Sequence, residues 1–272
     1  LDINPFTQIL WKTPEAKAEW EARFALARYI HDEVEYEMVK RGKRECATLH
    51  IFPAGFEEKI ERIQKDGLVW LPITRTKVYN GFSHKHFATD MSDPNSTVYG
   101  VLARAMEDAE MFRKASAYRQ AGPVDHNVIG ELLGFPSCCC DFFTDVWGKG
   151  YYDPIWQAAV NTLDRELISE THVKVRGSVF AHQLLRYFGY RITSHLPCSF
   201  DCIETQKIGE IWLEVMQEID SLATSALLDI LRIPIRWRCY RGVAIVESDV
   251  FIANTNSMPT KKEYVVEFTA ND

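Results

Sequence analysis

The chain has 272 residues, 46% apolar and 25% charged, with a formal net charge of -7. That is enough for one large or two modest domains with a substantial core, and the acidic balance argues against nucleic acid as a partner, since its electrostatic footprint is basic. No apolar run reaches the roughly 18 residues that span a bilayer, so no membrane partner is expected, and no secretion signal is read at the start.

Residues 14–40 predict one long helix, because Trp20, Phe24, Ala27, Ile30, Val34 and Met38 recur at steps of three or four. Thr13-Pro14 supplies a cap and a first-turn proline. His31, Glu33, Glu35 and Glu37 read as a solvated face, since no second Glu-x-x-His copy accompanies them. Lys40, Arg41, Lys43 and Arg44 read as a solvated helix end. Residues 47–52, 56–65 and 68–73 predict a strand, a helix and a strand, a compact β-α-β element without a glycine-rich phosphate loop.

Residues 74–97 read as a polar loop containing His84, His86 and Asp90. Two histidines at that spacing share a metal only on a strand, so an exposed loop is the simpler reading. Helix is expected over 98–119, ended by Ala121-Gly122-Pro123, then over 125–133, stopped by Gly134. Further helices are expected over 156–168, 179–188 and 203–231, with 190–193 as a short strand or extended entry to the second cysteine motif. Short strands at 234–240, 243–247, 250–253 and 264–268 predict a closing antiparallel meander. The expected fold class is α+β, predominantly helical, with a small N-terminal β-α-β element and a C-terminal antiparallel meander. Its expected division is an N-terminal α/β region, 1–97, and a cysteine-motif helical region with the meander, 98–272, or one continuous domain.

Seven cysteines are present: Cys46, Cys138, Cys139, Cys140, Cys198, Cys202 and Cys239. Five fall in two short motifs, Gly134-Phe-Pro-Ser-Cys-Cys-Cys-Asp-Phe-Phe143 and Ser194-His-Leu-Pro-Cys-Ser-Phe-Asp-Cys202. An odd, clustered set is unlike a secreted disulfide framework and points to ligation or thiol chemistry in a reducing compartment, the cytoplasm. Each motif places proline just before cysteine, which predicts two helix starts. Free N–H groups and the positive end of the helix dipole there favour thiolate, the form that binds metal or attacks as a nucleophile. On one helix, Cys198 and Cys202 would share a face at i,i+4.

Three kinds of site fit. One is an iron–sulfur cluster, of the 4Fe-4S type, on cysteine thiolates. Another is zinc on cysteine and histidine. The third is a redox dithiol, Cys138 with Cys140 or Cys198 with Cys202. Cys46 and Cys239, each alone, read as buried and inert.

His195, three residues before Cys198, can donate to a cluster sulfur, ligate metal or move a proton, or it caps a strand end. His126 follows Asp125, an expected N-cap, and is either an acid/base or ligand or a surface histidine. Asp141 and Asp201 are dipole-compensating residues or oxygen ligands. Arg176, Arg186 and Arg191 are solvated or bind an anionic substrate through paired hydrogen bonds.

The segment Ile129-Gly-Glu-Leu-Leu-Gly-Phe-Pro-Ser-Cys-Cys-Cys-Asp-Phe-Phe143 resembles the Leu-Gly-(Phe/Tyr)-Pro-x-Cys-Cys motif of a prokaryotic protein family of undefined function. His195-Leu-Pro-Cys-Ser-Phe-Asp-Cys202 resembles that family's second motif. The likeness covers about residues 100–205 and implies that Cys138, Cys139, Cys198 and Cys202 belong together, while Cys140 departs from the two-cysteine pattern. Adjacent cysteines also occur near the iron–sulfur cluster of epoxyqueuosine reductases, a local analogy only.

The first expectation is therefore an iron–sulfur enzyme performing reduction, sulfur transfer or a lyase step on a small-molecule or modification-pathway substrate, with an electron donor as a further partner. A zinc-stapled non-catalytic interaction module and a metal-free thiol redox enzyme are the alternatives.

Overall fold

The computed structural model describes residues 9–78, 86–88, 96–116, 124–148, 154–257 and 262–271. The expected helix over 14–40 is two helices, α1 (Pro14–Ala27) and α2 (Ile30–Lys40), preceded by strand β1 (Ile9–Trp11). Thr13 caps α1, its hydroxyl accepting the Ala16 N–H at 3.1 Å, with Pro14 at the first turn. The apolar repeat runs unbroken through the turn at Arg28-Tyr29, so periodicity alone does not reveal the division. The chain separates into two units, Glu35–Cys140 and Leu1–Val34 with Asp141–Asp272.

In the first unit, β2 (Cys46–Ile51), α3 (Phe56–Lys65) and β3 (Val69–Val78) form the expected β-α-β element, but its strands do not pair with each other. After β4 (His86–Ala88) comes β5 (Thr97–Ala103), which enters between β2 and β3, antiparallel to both, in the order β2-β5-β3-β4. Helix was expected over 98–119. Instead β5 occupies its start, α4 (Met106–Ala115) follows, and the boundary expected at 97/98 falls inside a strand.

The physical reason lies in the core. Leu102 packs with Tyr36, Val39, Ala47, Ile51, Ile63 and Leu68 on one face. Val101 and Ala103 pack with Ala109, Phe112 and Leu132 on the other. A strand buried on both faces loses the polar–apolar alternation that would identify it. Arg44 is buried rather than solvated; it faces Glu35 at 4.0 Å and donates to the Cys46 carbonyl. His84, Asp90 and the break at 121–123 lie outside the described residues.

The second unit contains α7 (Pro154–Asn161), β6 (Arg165–Ser169) and β7 (His172–Gly177). The helix expected over 156–168 therefore stops at Asn161, and a hairpin begins. The expected helix over 179–188 is two single tight turns, Val179–Ala181 and Arg186–Phe188, with Gly189 closing the second at φ 90°. Residues 190–193 form no strand.

The periodicity over 203–231 divides into α8 (Ile203–Ile219) and α9 (Ser221–Leu231). Asp220 is the reason: its extended backbone ends α8, and its carboxylate accepts the Ala223 N–H at 2.9 Å, capping α9. An antiparallel meander is present over β8 (Ile235–Tyr240), β9 (Val243–Glu247) and β10 (Phe251–Asn256), while β11 (Tyr264–Ala270) does not continue it but crosses back to pair antiparallel with β8. These strands are the centre of a seven-stranded sheet ordered β1-β10-β9-β8-β11-β7-β6, mixed because β11 and β7 run parallel. His31 is 2% exposed and packs against Trp212 at 5.6 Å, so it is not on a solvated face.

The α+β class holds, although eleven strands among the described residues make helix less dominant than expected. No helix among the described residues is long and apolar enough to cross a membrane.

Candidate metal centre

The first cysteine motif is positioned by a helix stop. Helix α5 (His126–Leu132) begins at Asp125, whose carboxylate accepts the Val128 N–H at 3.2 Å. It ends at Gly134, φ 68°, with the Gly134 N–H on the Glu131 carbonyl and the Phe135 N–H on the Gly130 carbonyl. This pair of bonds satisfies the last carbonyls of the helix and needs a left-handed residue, which glycine supplies without strain. The chain turns sharply there into α6 (Ser137–Phe143). Pro136 precedes that helix, and its carbonyl accepts the N–H groups of Cys139 and Cys140. Cys138 and Cys139 thus sit in the first turn, as the proline predicted.

The second motif is not built as expected. Cys198 lies in an irregular turn, and only Cys202 reaches a helix, as the N-cap of α8. The two cysteines therefore do not share a helix face. The turn is instead pinned from outside. Asn161 donates to the Cys198 carbonyl at 3.0 Å, and the Thr162 hydroxyl accepts the Phe200 N–H at 3.0 Å. The Asp201 carboxylate accepts from the Leu163 N–H at 2.7 Å and from the Ser199 hydroxyl at 2.6 Å. The Ser178 N–H reaches the Phe200 carbonyl at 2.9 Å. Gly177 leaves room for this approach, because a Cβ there would lie 2.4 Å from the Phe200 oxygen. The end of α7 and the end of β7 together hold the turn.

The sulfurs of Cys138, Cys139, Cys198 and Cys202 all lie within 4.8 Å of one another, an arrangement that could hold a metal ion. Neighbouring residues diverge on a helix, yet the Cys138 and Cys139 sulfurs are 3.9 Å apart. None of the seven cysteines is joined in a disulfide. Cys139 and Cys202 are buried, while Cys138 and Cys198 are half-buried.

The remaining cysteines separate cleanly from this group. Cys140 points the other way, its sulfur occupying the space that a Cβ on Gly130 would need. Burial pushes the Cys46 thiol up to about 12, so it stays protonated and inert. Cys239 is buried beside the Ser257 hydroxyl at 3.2 Å.

His195 is not among the gathered donors. It is buried, with Nε2 2.8 Å from the hydroxyl of Thr205, itself fully buried on α8. His126 is half-buried at the first position of α5. Asp141 is exposed on α6, and the Asp201 carboxylate already accepts two hydrogen bonds, which favours a positioning role over ligation. Arg176 is exposed on β7, whereas Arg186 and Arg191 are half-buried. Sequence reasoning missed Asn161, Thr162 and Thr205, which carry no motif signal because they act through partners far along the chain.

No protein-family model matches the chain, and neither the curated proteins nor the solved structures contain a significant match to it.

Proposed function

We propose that this protein is a zinc-stapled binding module in which Cys138, Cys139, Cys198 and Cys202 hold one tetrahedral ion. The observation that carries this reading is the mutual spacing of the four sulfurs, all within 4.8 Å. Four thiolates around one ion, with bonds of about 2.3 Å, lie about 3.8 Å apart. Closing the observed group onto one ion needs only small side-chain adjustments. In a 4Fe-4S cluster each thiolate is on a different iron, and the whole cluster separates the sulfurs. Four protein ligands also leave no open position, which marks a structural rather than a catalytic zinc.

In this reading the chain's residues do the shaping. Asn161, Thr162 and Asp201 hold the 198–202 turn in place before metal arrives, and Pro136 and Gly134 aim the first turn of α6. The ion supplies a cross-link between segments distant in sequence, and the module's ligand surface lies in what that cross-link orders.

One feature favours a second reading. Cys138 and Cys198 are half-buried, so an electron donor can approach the sulfurs, as an iron–sulfur enzyme would require. The deciding experiment is metal and acid-labile sulfide quantitation on protein purified without oxygen, alongside Cys198→Ala. One zinc per chain, no sulfide, and loss of zinc in the variant is the expected result. Iron with matching sulfide and a brown colour would overturn it in favour of an iron–sulfur enzyme of reduction, sulfur transfer or lyase type. Metal-free protein with a trapped disulfide would overturn both in favour of thiol redox chemistry.

A further inference from the structure

Between β7 and the second cysteine motif the chain buries more polar chemistry than it satisfies. His182 and Gln183 are 3% and 2% exposed. The His182 ring nitrogens find no hydrogen-bond partner outside their own residue, and neither polar atom of the Gln183 side chain has one. Nη1 of Arg186, Nε of Arg191 and Oγ of Ser194 are buried in the same state. Buried polar groups in native proteins are almost always paired, and those that are not call for an explanation.

The two arginines sharpen the question. No carboxylate among the described residues pairs with either guanidinium, and Arg186 lies over the Tyr187 ring at 5.9 Å. Burial pushes the Arg186 guanidinium down to about 10; Tyr187 partly opposes this and the positive charge of Arg191 adds to it. Buried guanidinium charge with no carboxylate partner is stable when an anion completes the set. Guanidinium groups present forked N–H donors that match a carboxylate or phosphate.

The location is informative. The His182 ring packs edge-on against Phe268 at 4.3 Å, and Phe200, inside the cysteine-bearing turn, lies against the same Phe268 ring at 5.3 Å. Arg186, Arg191 and Ser194 are half-buried, so this region reaches the surface on one side. Tyr187 and Trp237 stack nearby at 5.7 Å, and the Trp237 indole N–H has no partner.

We propose that Gln183, Arg186, Arg191 and Ser194 form a recognition site for the carboxylate or phosphate group of a small anionic molecule, on the segment that leads into the metal-binding turn. Arg186 and Arg191 supply charge and paired N–H donors, Ser194 a hydroxyl, and Gln183 an amide that reads a neighbouring polar atom of the ligand. The site names the ligand class of the module proposed above, but it stands on atoms that belong to none of the four metal-binding residues.

The test is the melting temperature of the full chain in inorganic phosphate, pyrophosphate or citrate, against chloride at equal ionic strength, before and after chelation. A saturable rise with at least one oxyanion is expected, lost in Arg186→Gln and in Arg191→Gln and partly kept in Arg186→Lys. Ser194→Ala guards against glutamine variants that do not fold, and should weaken the apparent affinity about tenfold, the loss of one charge-assisted bond. No saturable rise with any of the three anions, or an undiminished rise in Arg186→Gln, Arg191→Gln and Ser194→Ala, overturns the site. Phosphate and pyrophosphate acting without citrate would assign a phosphate ligand, and citrate alone a carboxylate. A rise that survives chelation supports the anion site even if the zinc reading fails, so the two proposals fail separately.

Discussion

The Thr162 hydroxyl accepts the Phe200 N–H at 3.0 Å while donating to the Ala158 carbonyl at 2.8 Å, tying the turn between Cys198 and Cys202 to the last turn of α7. Thr162 is fully buried, so Thr162→Val keeps its volume but strands the Phe200 amide. The expected loss is about 1–3 kcal/mol in chemical denaturation. Supports of metal ligands are typically worth about 10–100-fold in affinity, so chelator competition should show a comparable weakening. An unchanged affinity would mean that the turn is held without Thr162.

Gly177 and Gly130 make a controlled pair. A Cβ at Gly177 would meet the Phe200 carbonyl oxygen at 2.4 Å, whereas one at Gly130 would meet the Cys140 sulfur at 2.3 Å. Backbone cannot swing aside, but a cysteine side chain can. Gly177→Ala should cost about 1–3 kcal/mol by overpacking and weaken metal binding. Gly130→Ala should cost less, and Cys140→Ala in the same chain should recover much of its loss. Additive effects in that double-mutant cycle would refute the contact.

Single serine replacements sort the cysteines. Cys139→Ser and Cys202→Ser are expected to abolish stoichiometric metal and lower the melting temperature. Cys46→Ser, Cys140→Ser and Cys239→Ser should retain full metal content in elemental analysis. Protons compete with metal for thiolate, so metal should be released as pH falls; a metal content independent of pH and of Cys202 would contradict this centre.

His182 gives a pH dependence of its own. Burial pushes its imidazole down to about 3, while the unfolded residue titrates near 6.5. Between those values the unfolded chain binds a proton that the folded chain refuses. The stability is therefore complete above about pH 6.5 and is lost as pH falls toward 3. The slope is about 1.4 kcal/mol per pH unit, or about 2 kcal/mol by pH 5. His182→Phe, which keeps a ring against Phe268, should flatten this part of the profile in chelated protein. An identical slope in wild type and variant would show that His182 is not its source.

Much of the local structure was legible in the residues themselves. The β8 strand alternates buried and exposed from Ile235 to Tyr240, so a period of two is visible without any partner. Thr13-Pro14 and Gly134 mark helix ends through their own backbone preferences. Other segments misled for definite reasons. The β5 strand is buried on both faces and shows no period. Residues 179–188 carry a helical spacing of apolar residues, yet bury His182 and Gln183 among them.

The sequence by itself determined which thiols are candidates, because five of seven cysteines crowd into two proline-led motifs. The motif resemblance also implied that Cys138, Cys139, Cys198 and Cys202 belong together; only the tertiary structure decided how their sulfurs come within 4.8 Å of one another and that the Cys140 sulfur lies toward Gly130. Capping, turn chemistry and periodicity act over a few residues and leave their marks in order along the chain. How the sulfurs meet depends on where Asn161, Thr162 and Gly177 hold the second turn, and that is set by packing and long-range hydrogen bonds that no local pattern encodes.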